Sequence, residues 1–143
     1  MRVLIDTTFA RRGPSGTATY LRHLVPALRA LGVDVVEAAN ARRRPPAGGG
    51  RGSLRNLVRD RLWVEAGLRD PTVDLVHHPL PAHAATLRVP QVITVHDLAF
   101  ERLPAAFDAR FRAWARRAHR AAARRSAAVV AVSEATAADA RAL

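Results

Sequence analysis

Four short stretches of the sequence hold the side chains that could do chemistry. His96 and Asp97 follow the β-prone run Val92-Ile93-Thr94-Val95. A titratable pair at the mouth of an apolar strand is costly to bury without a partner. The imidazole could donate a hydrogen bond to a ligand there or orient a hydroxyl. The plainer reading is a capping Asp beside a solvated His. Gly13-Pro14-Ser15-Gly16-Thr17 follows the first apolar run and precedes the first helical period. Gly13 and Gly16 would let a ligand approach the backbone closely. The amides of a helix start, with the helix dipole, would favour a phosphate. The plainer reading is a turn with Thr17 near the helix cap. This is not a Walker loop, because no Lys follows, and the third glycine of the dinucleotide fingerprint is missing.

His77-His78-Pro79 ends a third apolar run. Neighbouring residues on a strand point to opposite sides, so these two imidazoles do not easily share one metal. No carboxylate-rich motif accompanies them. A turn closed by Pro79 is favoured, and no metal site is expected. Ser133-Glu134 follows Ala127 to Val132. Ser133 reads as a helix N-cap, and Glu134 suits the first turn.

The elements that must position these stretches follow from periodicity. Val3-Leu4-Ile5, Val33 to Val36, Val73 to His77, Val92 to Val95 and Ala127 to Val132 read as five short strands. Leu21, Leu24, Val25, Leu28 and Leu31 recur at helical spacing until Gly32, with Pro26 expected to kink the run. Asn40 to Gly52, with its Arg, Pro and Gly tracts, reads as a mobile loop. Leu54, Leu57, Val58 and Leu62 mark a helix ending near Leu68, with Glu65 as a polar exception on its stripe. A long helix runs past Phe107, Phe111 and Trp114, and a last one begins at Ser133. Strands alternating with helices predict an α/β fold: a Rossmann-like, open, mostly parallel sheet with flanking helices. Ligands of such sheets bind beyond the carboxyl ends of the strands, where all four stretches fall.

Composition narrows the classes. The chain has 143 residues, 49% of them hydrophobic, which suits one domain with a core. It has no Cys, so disulfides and thiolate metal sites are excluded. No apolar run approaches a membrane span, and no signal-peptide core follows Met1-Arg2. A cytoplasmic protein is expected. The net charge is +11 and every one of the 23 basic residues is Arg. A GC-rich coding bias would give this, as would a surface for phosphate or lipid headgroups. The Arg residues from Arg110 to Arg125 cover several sides of the long helix. They read either as a solvated face or as a peripheral contact with an anionic membrane. Scarce aromatics and the lack of a module signature argue against nucleic acid.

The order of the motifs resembles the N-terminal half of glycosyltransferase family 4, which has the GT-B architecture. The pieces are Arg2-Val3-Leu4-Ile5-Asp6, Gly13 to Tyr20 with Leu21, Leu24 and Leu28, and Asp74-Leu75-Val76-His77. After them come Val89 to Leu98, containing His96-Asp97, and Ala131-Val132-Ser133-Glu134. The resemblance implies a retaining enzyme that moves a sugar from a nucleotide-sugar donor to an acceptor, without a metal or other cofactor. It implies that the loop of Gly13, Ser15, Gly16 and Thr17 sits near the donor diphosphate. It puts His96 beside the donor sugar, with Asp97 orienting the imidazole or the loop. His77, His78, Ser133 and Glu134 would line the cleft. The family's second domain, which holds the donor nucleotide and a spaced pair of glutamates, has no counterpart here. Glu37, Glu65, Glu101 and Glu134 include no such pair. Residues 1–143 therefore read as a partial, acceptor-side N-terminal domain, expected to be inactive alone. The alternative is a non-catalytic binding module for an acceptor or an anionic membrane surface.

Overall fold

In a computed structural model of the chain, residues 1–12, 14–40 and 59–143 are described. Gly13, the Arg, Pro and Gly tracts after Asn40, and Leu54, Leu57 and Val58 lie outside the described residues. Five strands form one parallel sheet: β1 (Arg2–Asp6), β2 (Asp34–Ala38), β3 (Leu75–His78), β4 (Gln91–Val95) and β5 (Ala128–Ala131). Their order is β2-β1-β3-β4-β5. The expected α/β architecture is therefore present, with strand limits shifted by one or two residues. Between the strands lie α1 (Gly16–Ala30), the single turn α2 (Ala99–Arg102) and α3 (Ala109–Arg125), and α4 (Glu134–Ala142) follows β5. The chain divides into two compact units. No helix among the described residues is long and apolar enough to cross a membrane.

The first unit comprises Met1–Val76 with Ala84–Pro90. Successive β1 side chains serve opposite faces of the sheet. Val3 and Ile5 pack with Leu21, Val25 and Val35, whereas Leu4 packs with Leu68, Val73 and Val76. Both faces of this strand are thus covered, as a parallel sheet requires. Leu21 and Val25 lie four apart on the buried stripe of α1. The helix runs through Pro26, which is exposed, and Gly32 follows at φ +78, a left-handed conformation that only glycine adopts at low cost. Parallel pairing sets Val3 beside Val35 and Ile5 beside Glu37. The helical run at 59–62 continues into a π-helical turn, Trp63–Gly67. Glu65, the polar exception, has a partner: its carboxylate accepts from the Thr86 amide at 3.1 Å.

The second unit comprises His77–His83 with Gln91–Leu143. Ile93 and Val95 of β4 share a cluster with Leu98, Phe100, Ala115 and Ala122. Val92 pairs with Ala128 and Val95 with Ala131. Asp108 starts α3 by accepting from the amides of Arg110 and Phe111. Arg102 grips Asp139 through two hydrogen bonds, of 2.5 and 2.8 Å, which ties the short turn α2 to α4. Arg116 pairs with Glu101 across α3 and α2.

Candidate functional site

His96 stands immediately after β4 and is half-buried. Its Nε2 lies 2.9 Å from the carbonyl oxygen of Pro79. A carbonyl can only accept, so Nε2 carries the proton, and Nδ1 is the acceptor nitrogen of the neutral ring. The backbone is held as well. The His96 carbonyl accepts from Thr136 Oγ1 at 3.2 Å. Ser133 Oγ lies 3.0 Å from that same Thr136 hydroxyl and accepts from the Thr136 amide at 3.1 Å. Ser133 is therefore the expected N-cap of α4, and through Thr136 it also anchors the mouth of β4. Glu134 sits exposed in the first turn of α4. Exposed Asp97 accepts from the Ala99 amide at 3.0 Å and so orders the backbone that leaves His96. Of its two expected tasks, this bond serves the loop.

Behind His96 the unit holds a polar interior. His77 and His78 end β3 and are 6% and 1% exposed. Both are strand residues, and the chain bends at Pro79 directly after them, where the sequence favours a turn. His77 Nε2 lies 2.8 Å from Thr94 Oγ1, and His78 Nε2 lies 3.0 Å from Gln91 Oε1. Thr94 and Gln91 are an odd number of residues apart on β4, so they serve opposite faces. The two imidazoles diverge in the same way. Burial pushes the His77 pKa down to about 4, and the nearby charges of His78 and His96 act in the same direction. His77 is thus a neutral ring near pH ~7. Among the described residues no group of three or more His, Cys, Asp or Glu side chains could hold a metal ion.

The glycine-rich loop belongs to the first unit. Ser15, rather than Thr17, caps α1: its Oγ accepts from the Ala18 amide at 3.1 Å. Ser15 and Gly16 are exposed and Thr17 is half-buried. Among the described residues nothing lies within 4 Å of where a Cβ on Gly16 would stand. Approach to the backbone at this helix start is open. The segment that leads into the loop is firmly held. Buried Asp6 accepts from the Thr8 amide at 3.0 Å, the Thr7 amide donates to Ala38 at 2.7 Å, and Thr8 Oγ1 accepts from the Asn40 amide at 2.9 Å. Thr94 and Gln91 are residues that the motifs alone give no separate role. Their signal was the polar residue at or inside an otherwise apolar strand.

The model of the family described as Glycosyltransferase Family 4 matches residues 14–143. The chain belongs to this family. No curated protein matches the chain. The parallel sheet agrees with a glycosyltransferase domain, whose substrates are in general terms a sugar donor and an acceptor. The matched span includes every candidate site residue read from the sequence except Gly13, and it leaves out the first strand motif, Arg2 to Asp6.

Proposed function

We propose that the chain is the acceptor-side N-terminal part of a retaining glycosyltransferase, which moves a sugar from a nucleotide-sugar donor to an acceptor. The observation that carries this reading is the immobilised His96, held through Nε2 by Pro79 and through its own carbonyl by Thr136. A ring fixed at the carboxyl end of a buried strand suits positioning and charge stabilisation. In the neutral ring Nδ1 accepts a hydrogen bond, as a sugar hydroxyl would offer. Asp97 and Ser133 act as positioning residues. The open helix start at Ser15, Gly16 and Thr17 suits the donor diphosphate. The transfer needs no metal, and it is placed in the cytoplasm, in keeping with a chain that lacks Cys.

The test is the anomeric configuration of the product made by the full-length enzyme, read by NMR, with and without a chelator. The expected result is a product of retained configuration at an unchanged rate in chelator. An inverted product overturns the reading. The 143-residue chain alone is expected to give no product.

A second reading is a binding module that meets an anionic membrane at its inner face. It is favoured by α3, whose 17 residues include seven Arg and no acidic side chain.

A further inference from the structure

The seven Arg residues of α3 sort into two sets. Arg112, Arg116 and Arg120 recur every four residues and are bound within the unit. Arg112 Nε donates to the Phe100 carbonyl at 3.1 Å, Arg116 pairs with Glu101, and Arg120 donates to the Leu143 carbonyl. Arg110, Arg117 and Arg124 recur every seven residues, which is close to two full turns, and Arg125 adjoins the last. All four are exposed, and no ion pair among the described residues engages them.

An aromatic ladder runs along the same face. Phe107 stacks on Phe111 at 5.8 Å between centroids, and Phe111 meets Trp114 at 5.9 Å. Phe111 is 44% and Trp114 52% exposed. Trp114 stands one turn from both Arg110 and Arg117, and exposed position 121, between Arg117 and Arg124, is Ala. The unit buries Phe100 but leaves Phe111 and Trp114 half-exposed, beside cations that no ion pair among the described residues engages. Solvation accounts for the cations and does not account for the rings.

We propose that this face of α3 is a membrane-docking surface for anionic phospholipid, with Phe111 and Trp114 entering the headgroup layer and Arg110, Arg117, Arg124 and Arg125 on the headgroup phosphates. Charge complementarity supplies the choice of partner: the helix carries no acidic side chain, and its Arg forks match phosphate. Half-exposed Trp and Phe flanked by Arg is the composition of a helix that lies in a bilayer interface. A single-stranded nucleic acid would also take rings and cations, but Phe111 stacks on Phe107 and Trp114 leans against Phe111 at 41°, so the rings contact one another rather than standing apart as base platforms. The assignment rests on the surface-binding reading of α3 and not on sugar transfer.

The experiment is cosedimentation of the chain with phosphatidylglycerol–phosphatidylcholine vesicles, with pure phosphatidylcholine vesicles as reference. Binding is expected only to the anionic vesicles, and it weakens with added salt. Each Arg near an anionic surface contributes about a fivefold effect, so R117Q/R124Q weakens binding roughly 30-fold. The control R69Q/R88Q removes the same charge from two exposed residues of the first unit. It leaves binding within about threefold. Brominated lipid quenches tryptophan fluorescence in the wild type and not in W114F. Equal weakening in the control, or quenching that persists in W114F, overturns the assigned face while the surface-binding reading stands. No vesicle binding at all, or tighter binding to single-stranded RNA than to the vesicles, overturns both.

Discussion

The Nε2 atom of His96 sits 2.9 Å from the backbone oxygen of Pro79, a residue seventeen positions earlier. That contact fixes the tautomer as well as the ring plane. The neutral His96 ring is expected to be the Nε2–H form, with Nδ1 the unprotonated nitrogen. Nitrogen chemical shifts of the labelled chain check this directly. A neutral ring protonated on Nδ1 would contradict the geometry.

His77 makes stability depend on pH with a definite sign. Its pKa is about 4 in the folded chain and 6.5 without the fold. Between those values the unfolded chain binds the extra proton, so stability falls as pH falls from 6.5 towards 4. The loss approaches about 3 kcal/mol at the acid end of that window. His119, lowered by burial, pushes in the same direction. Urea melts across this range check the slope. H77Q is expected to flatten it, and an unchanged slope would remove His77 as its source.

Ser133 and Thr136 form one small network rather than two independent contacts. S133A is expected to cost about 1 kcal/mol through the lost cap. T136V is expected to cost a similar amount by releasing the His96 carbonyl. Because the two hydroxyls are 3.0 Å apart, the double variant should cost less than the sum of the two. Additive losses in a denaturant series would show that the hydroxyls act separately.

Gly67 lies under a ring. A Cβ built there would stand 2.1 Å from Cε3 of Trp63. G67A must move the indole, which packs on the cluster of Leu4, Leu68, Val73 and Val76. A loss of about 1–3 kcal/mol is expected from this overpacking. A melt equal to that of the wild type would mean that the π-helical turn yields freely.

Much of this architecture was legible because it depends on local period. The apolar runs at β1 and β4 and the stripe of Leu21 and Val25 announce a parallel α/β sheet without tertiary knowledge. His96 was legible for the same reason, since a polar residue that ends an apolar strand has one place to go. Its partner was not, because Pro79 reaches it only through the fold. His77 and His78 are legible only as the end of an apolar strand, and their cleft-lining role is what the family resemblance implies. Their burial depends on Thr94 and Gln91, polar residues of β4 that accept the rings on either face. The Arg residues of α3 looked scattered because which are bound depends on Glu101 and on carbonyls distant in sequence.

The most direct test of the central claim is the rate of sugar transfer by the H96A variant of the full-length enzyme. The account predicts a fall in kcat/KM of at least about a hundredfold, since a group that positions the reacting sugar or stabilises its charge is worth roughly 3 kcal/mol at the transition state. The melting temperature should drop by only a few degrees, because one hydrogen bond of about 1 kcal/mol is lost. A stably folded variant with the wild-type rate would show that His96 does not stand at the reacting sugar.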